Sequence, residues 1–140
     1  MAAGGAWSQT GPLVAFEVAN GAIEAPLDGR RGDVARGRDV AINRGEGACL
    51  LCHTVPAPPD DERTRFMGNI GPPLAGVGAR LSAGQLRLRL VDSTQLNPDT
   101  VMPAYYRVEG LNQVATAYRG KPLLTPQQIE DAVVWLSTLK

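Results

Sequence analysis

The chain has 140 residues, which suits one compact domain around one hydrophobic core. Its 14 basic and 14 acidic residues cancel, excluding the general attraction to nucleic acid or anionic membrane that a basic domain shows, so partners are expected to be protein or small molecule. Only two Trp, three Tyr and two Phe serve a chain that is 44% apolar and 20% charged, so the core must find flat apolar bulk elsewhere.

Residues 1–12 (MAAGGAWSQTGP) have neither a basic start nor an apolar stretch, and no run approaches the roughly 18 apolar residues a bilayer span needs. The expectation is a soluble chain without a signal peptide, with Met1 a start placed on a mature sequence or a remnant of processing. From Leu13 to Leu27, LVAFEVANGAIEAPL alternates around Asn20-Gly21, a dipeptide suited to a tight hairpin turn, which predicts a short hairpin. Asp33 is placed to cap a helix running to about Asn43, with Val34, Ala41 and Ile42 on its buried side. Residues 54–80 read as loop, because Pro56, Pro58 and Pro59 interrupt any helix and GNIGPPLAGVG is punctuated throughout. Ser82 and Gln85 form a capping box ahead of Leu86, Leu90 and Val91 and decide for helix over the strand-like alternation of LRLRL. Asn97-Pro98 and Met102-Pro103 hold their surroundings extended, and a short helix is predicted from Gly110 to Tyr118. The clearest helix comes last: Thr125 at the cap, Pro126 at the first position, Gln128 closing the box, then Ile129, Ala132, Val133 and Leu136 at helical spacing.

Cys49-Leu50-Leu51-Cys52-His53 is a C-x-x-C-H pattern, in which two thiols add to haem vinyl groups while the adjacent imidazole reaches the iron from one face. These are the only two cysteines and the only histidine, an arrangement with random odds of roughly one in ten thousand. The competing readings are a structural disulfide, a thioredoxin-like pair and a zinc site; zinc wants four donors where three are offered, and no βαβ unit surrounds the pair. The reading is therefore one covalent haem c on Cys49 and Cys52, with His53 as first axial ligand. The second ligand must come from the opposite face. Met1 is terminal and Met67 follows His53 too closely, whereas Met102 has chain enough to pass round the porphyrin and is stiffened by Pro103. Lysine or an open site are the alternatives. Arg80, Arg87, Arg89 and Arg119 are candidates to neutralise propionates, though each also reads as a solvated surface charge.

Helix, haem motif, glycine- and proline-rich loop, methionine loop and terminal amphipathic helix together resemble the class I cytochromes c over residues 33–140. The resemblance implies a mainly α fold, helices wrapped around one haem, extended at the N-terminus by a short β-hairpin or extended segment. It also implies that the Pro72 carbonyl, in Gly71-Pro72-Pro73-Leu74, accepts a hydrogen bond from His53, a simple turn being the other reading. GNIGPPLAGVGARLS, LRLRLVDSTQLNPDTVMPAYYR and YRGKPLLTPQQIEDAVVWLSTL are similar to the SoxX family, the monohaem subunits of SoxAX complexes of bacterial thiosulfate oxidation. The proline-rich stretch from Val55 to Arg65 matches less distinctly. This resemblance implies a periplasmic electron-transfer subunit, in a heterodimer with a SoxA-type cytochrome, of an L-cysteine S-thiosulfotransferase that couples thiosulfate to a cysteine of a SoxYZ-type carrier protein. A small cytochrome would accept the electrons, and no nucleic acid or membrane insertion is implied. Residues 1–32 would be an extension for partner docking and 33–140 the cytochrome domain, with Tyr105, Tyr106 and Arg107 as candidate partner-surface residues, each reading equally well as ordinary packing or a solvated charge. The rivals are a free-standing electron-shuttle cytochrome, and a haem enzyme or gas sensor with five-coordinate iron.

Overall fold

A computed structural model describes residues 13–140. The described residues form four α-helices, α1 (Val34–Ile42), α2 (Val77–Arg80), α3 (Ala83–Asp92) and α4 (Pro126–Thr138), joined by loops with single 3-10 turns, and contain no sheet. No helix is long and apolar enough to cross a membrane.

The helix ends lie where cap chemistry puts them. The Asp33 carboxylate accepts from the Arg36 amide at 2.9 Å, satisfying one of the orphan donors of α1. Both predicted capping boxes are reciprocal: Ser82 with Gln85 opens α3 and Thr125 with Gln128 opens α4, where Pro126 occupies the first turn. Ile129, Ala132, Val133 and Leu136 are buried as their spacing predicts, the large ones contributing about 1.5–3 kcal/mol each. In α1 the buried side is Gly37, Val40 and Ala41 instead, and Val34 is exposed. The reason is the crossing with α4. A Cβ on Gly37 would lie 1.9 Å from the Asp131 carbonyl oxygen, so only glycine lets the two backbones meet there.

Four charged side chains form part of the interior among the described residues. Glu130 and Asp131 of α4 and Arg87 and Asp92 of α3 are all buried. Arg87 grips Glu130 through Nε at 2.7 Å and Nη2 at 2.8 Å, and donates to the Ile23 carbonyl at 2.7 Å, while Glu130 also accepts from the Leu27 amide at 3.1 Å. Arg87 is thus an internal strut and not a propionate partner or a solvated charge. Asp131 accepts from the Asp33 amide at 2.7 Å, Arg36 Nε at 3.0 Å and Gln127 Nε2 at 2.9 Å, joining the entry of α1 to α4.

These contacts explain the N-terminal segment. Asn20 and Gly21 have φ of 53° and 71°, the primed turn their pairing predicts, and Ala19 and Ala22 form one antiparallel bridge. The hairpin stops there. The Ile23 amide donates to the Gly84 carbonyl of α3 at 3.0 Å and its carbonyl is taken by Arg87, so the second arm has no groups left to pair with the first. The helix expected from Gly110 to Tyr118 is a single 3-10 turn at Thr116–Tyr118. Gly110 and Gln113 have φ of 67° and 52°, outside the helical region, and Leu111 and Tyr118 find no core to face.

Candidate haem-attachment site

After α1 the chain turns back on itself: the Gly47 amide donates to the Val40 carbonyl and the Ala48 amide to the Asn43 carbonyl, each at 3.0 Å. One 3-10 turn, Cys49–Leu51, follows, closed by the amides of Cys52 and His53 on the Cys49 carbonyl at 3.1 and 2.9 Å. A single turn of chain therefore carries both sulfurs and the imidazole. The two thiols are unbridged, and burial pushes the Cys49 thiol up to about 11, so it is held protonated. No group of three His, Cys, Asp or Glu side chains among the described residues converges to hold a metal, which leaves the zinc reading without a donor set.

His53 Nδ1 lies 2.6 Å from the Pro72 carbonyl oxygen. A carbonyl can only accept, so Nδ1 carries the proton and Nε2 presents a free lone pair. The ring rests on Gly71, where a Cβ would stand 2.4 Å from His53 Cε1. Backbone bonds seat this loop on the cysteine turn: Gly68 on the Leu50 carbonyl and Gly71 on the Cys52 carbonyl at 2.7 Å, Leu74 on the Thr54 carbonyl at 2.9 Å. Gly71 was not singled out from sequence as a contact of the imidazole, although its place before Pro72 was the available signal.

The sulfur of Met67 accepts from the Val55 amide at 3.2 Å, inside the loop that wraps the His53 side. Met102 sits half-buried at the rim of the core, its amide on Thr100 Oγ1 at 3.2 Å, within a loop closed at its base like a clasp. There the amides of Tyr105 and Tyr106 donate to the carbonyls of Leu90 and Val91 at 3.1 Å, and Arg107 Nη1 pairs with Asp92 at 3.2 Å. Tyr105 and Tyr106 are 5% and 2% exposed and belong to the core, so neither is a partner-surface residue, and Arg107 is committed to Asp92. Arg80 is exposed, with Nη1 on the Ala75 carbonyl at 2.9 Å; Arg89 Nη1 lies on the Gln85 carbonyl at 3.0 Å; Arg119 is exposed. Ile70 and Val101, neighbours of the Gly71-Pro72 segment and of Met102, are 70% and 80% exposed, apolar surface that a flat apolar group would cover.

These residues fit a haem: two thiols and an imidazole on one turn, a backbone carbonyl that orients the ring, and a thioether on a separate loop. No family model matches the chain, and no curated protein does. Among solved structures, a chain of the crystal structure of SoxXA from P. pantotrophus is 36% identical, with a TM-score of 0.80, over 89% of this chain and 94% of that one. Identity and coverage at that level extend well past the haem motif, to the helices and loops around it. The chain belongs to the SoxX family of c-type cytochromes, with the mainly helical fold of class I cytochromes c.

Proposed function

We infer that this chain is the electron-transfer subunit of a SoxAX-type complex of thiosulfate oxidation, working in the periplasm as a heterodimer with a SoxA-type cytochrome. The observation that carries the reading is the 36% identity to SoxXA over nearly the whole of both chains. Cys49 and Cys52 would hold one haem as thioethers, with His53 through Nε2 and Met102 through its sulfur as the residues to ligate its iron. When bound, the haem would supply one-electron chemistry at its iron.

The protein's own part is to hold these groups. His53 donates through Nδ1 to Pro72, which supports a fixed ring orientation with Nε2 as the nitrogen left for the iron. Met67 is otherwise engaged through its sulfur, which supports Met102 for the distal position. With both cysteines of the sequence used as thioethers, no thiol remains to attack a sulfur substrate, so the nucleophile belongs to the partner. Joining thiosulfate to a cysteine of a SoxYZ-type carrier protein forms a sulfur–sulfur bond and releases two electrons and the thiol proton. This chain would take the electrons singly and pass them to a small cytochrome, and the proton would go to solvent. Residues 13–32 would contribute to docking in this reading, and residues 1–12 of the same extension lie outside the described residues.

The test is co-expression with a SoxA-type subunit in a host that exports and attaches haem, followed by size-exclusion chromatography with a visible spectrum. A stable red heterodimer is expected. A red protein that stays monomeric at micromolar concentration would leave a free-standing shuttle, and a colourless one would remove the cytochrome reading. Replacing Cys49 and Cys52 by Ala is expected to abolish haem retention on a denaturing gel, and Met102→Ala to abolish the sulfur-to-iron absorption band while the haem stays attached.

A further inference from the structure

The two loops that carry His53 and Met102 are joined by one hydrogen bond among the described residues. Tyr105 Oη donates to the Gly47 carbonyl at 2.5 Å, across 58 positions of sequence. Gly47 stands two residues before Cys49, and Tyr105 three residues after Met102. We propose that Tyr105 is a positioning residue that ties the Met102 loop to the cysteine turn and so keeps the methionine sulfur on the haem iron. This rests on the reading of His53 and Met102 as axial ligands.

Tyr105 is anchored at three points. Its amide donates to the Leu90 carbonyl of α3 and its own carbonyl accepts from the Leu124 amide, both at 3.1 Å, while the phenol reaches Gly47. Gly47 is fixed in turn by its amide on Val40, and a Cβ there would come 2.8 Å from the Val40 oxygen and 3.4 Å from Cys49 Sγ. The bond thus runs between two points that have little freedom of their own. Burial raises the phenol well above its ordinary value, so it stays a donor at any ordinary pH. Pro103, with its fixed φ, transmits the placement of Tyr105 back towards Met102. Tyr106 makes the contrast: its hydroxyl accepts from the Val14 amide at 2.9 Å and serves the N-terminal segment instead.

The consequence is specific to the distal side. Thioethers hold the haem to the cysteine turn whatever the Met102 loop does, so removing the tie leaves attachment intact and makes the sulfur easier to displace. The experiment titrates the ferric holoprotein with imidazole and follows loss of the sulfur-to-iron band. Tyr105→Phe keeps the buried ring, strands the Gly47 carbonyl, and is expected to tighten apparent imidazole binding about tenfold, with covalent haem content unchanged. Pro103→Ala, which slackens the link without touching the hydrogen bond, is expected to tighten it several-fold. Arg36→Ala, which removes the ion pair of α1 with Asp131 of α4 and has no hydrogen bond to either loop among the described residues, controls for lost stability and is expected to leave imidazole affinity alone. Imidazole affinity in Y105F equal to that of the unsubstituted protein, or raised no further than in R36A, overturns the proposal. Absence of the band from the unsubstituted protein overturns Met102 ligation itself, and the role of Tyr105 with it.

Discussion

The side of the molecule where α4 meets α1 and α3 is held by a dense set of buried charges, whereas the two loops carrying the proposed iron ligands are held mainly by backbone hydrogen bonds, with Tyr105 Oη on Gly47 and Arg107 on Asp92 as their side-chain ties. On the first side Asp131 gathers the Asp33 amide, Arg36 and Gln127, and Glu130 gathers Arg87 and the Leu27 amide. On the second, the amides of Gly68, Gly71 and Leu74 fasten one loop to the cysteine turn and those of Tyr105 and Tyr106 close the other on α3. A buried charge tolerates one partner in one geometry, so the helical side specifies itself. A backbone bond is indifferent to side chain, so the loops can keep their course while side chains such as Ile70 and Val101 stay exposed.

The largest effect should come from breaking the Arg87–Glu130 pair. Glu130→Ala leaves a guanidinium buried without its carboxylate and strands the Leu27 amide, an expected loss of about 3–5 kcal/mol in denaturant unfolding of the holoprotein. Arg87→Met combined with Glu130→Leu removes both charges and is expected to recover most of it. If Glu130→Ala costs under about 1 kcal/mol, the pair behaves as a surface pair and the contrast between the two sides fails.

On the loop side the corresponding break is Gly71→Ala. The new methyl group would meet the His53 ring, at 2.4 Å from Cε1, so ring or loop must shift, at about 1–3 kcal/mol. Its signature differs from that of Glu130→Ala: the His53 to Pro72 hydrogen bond lengthens and the reduction potential moves, whereas Glu130→Ala should leave the potential unchanged. A potential shift in both variants would mean that the two sides are one mechanical unit.

The caps give a smaller effect of known origin. Ser82→Ala and Thr125→Ala each leave an amide of the first turn without its acceptor, at about 1 kcal/mol in the same unfolding measurement. Equal losses are expected, because the two boxes have the same geometry although α3 supports the Met102 loop and α4 does not.

Local chemistry was readable and long-range pairing was not. Asp33, Ser82, Thr125 and Pro126 mark helix starts because a cap acts on amides two or three residues away, inside any short window. The Cys49 to His53 turn was legible for the same reason. Arg87 and Glu130 lie 43 residues apart, and a charge on an amphipathic helix reads as solvated unless its partner is known, so Arg87 was placed on the surface and Glu130 passed unremarked. Tyr105 and Tyr106 were misplaced likewise: an aromatic pair after a Met-Pro dipeptide has no periodicity to say that both rings turn inward. The predicted helix at Gly110–Tyr118 shows the reverse error, helical spacing with no surface to pack on.

The smallest effect is a pH dependence in the loop that the sequence read least distinctly. Asp61 accepts from Arg38 at 2.5 Å and from the Arg63 amide at 3.0 Å, and Arg63 reaches back to Asp39 of α1 at 3.0 Å, fastening the proline-rich loop to that helix. The Arg38 hydrogen bond, then the Arg63 amide, hold the Asp61 carboxyl below the usual carboxylate range. A carboxyl whose pKa is lower folded than unfolded adds stability that is fully present above its unfolded value, about 3.9, and is lost as pH falls through the folded one. Asp61→Asn should therefore lower stability slightly at neutral pH and flatten the stability curve below about pH 4, and high salt should narrow the difference between the two proteins. Parallel curves for the two proteins through the acid range would mean that the ion pairs do nothing and that the loop is held by its backbone bonds and packing.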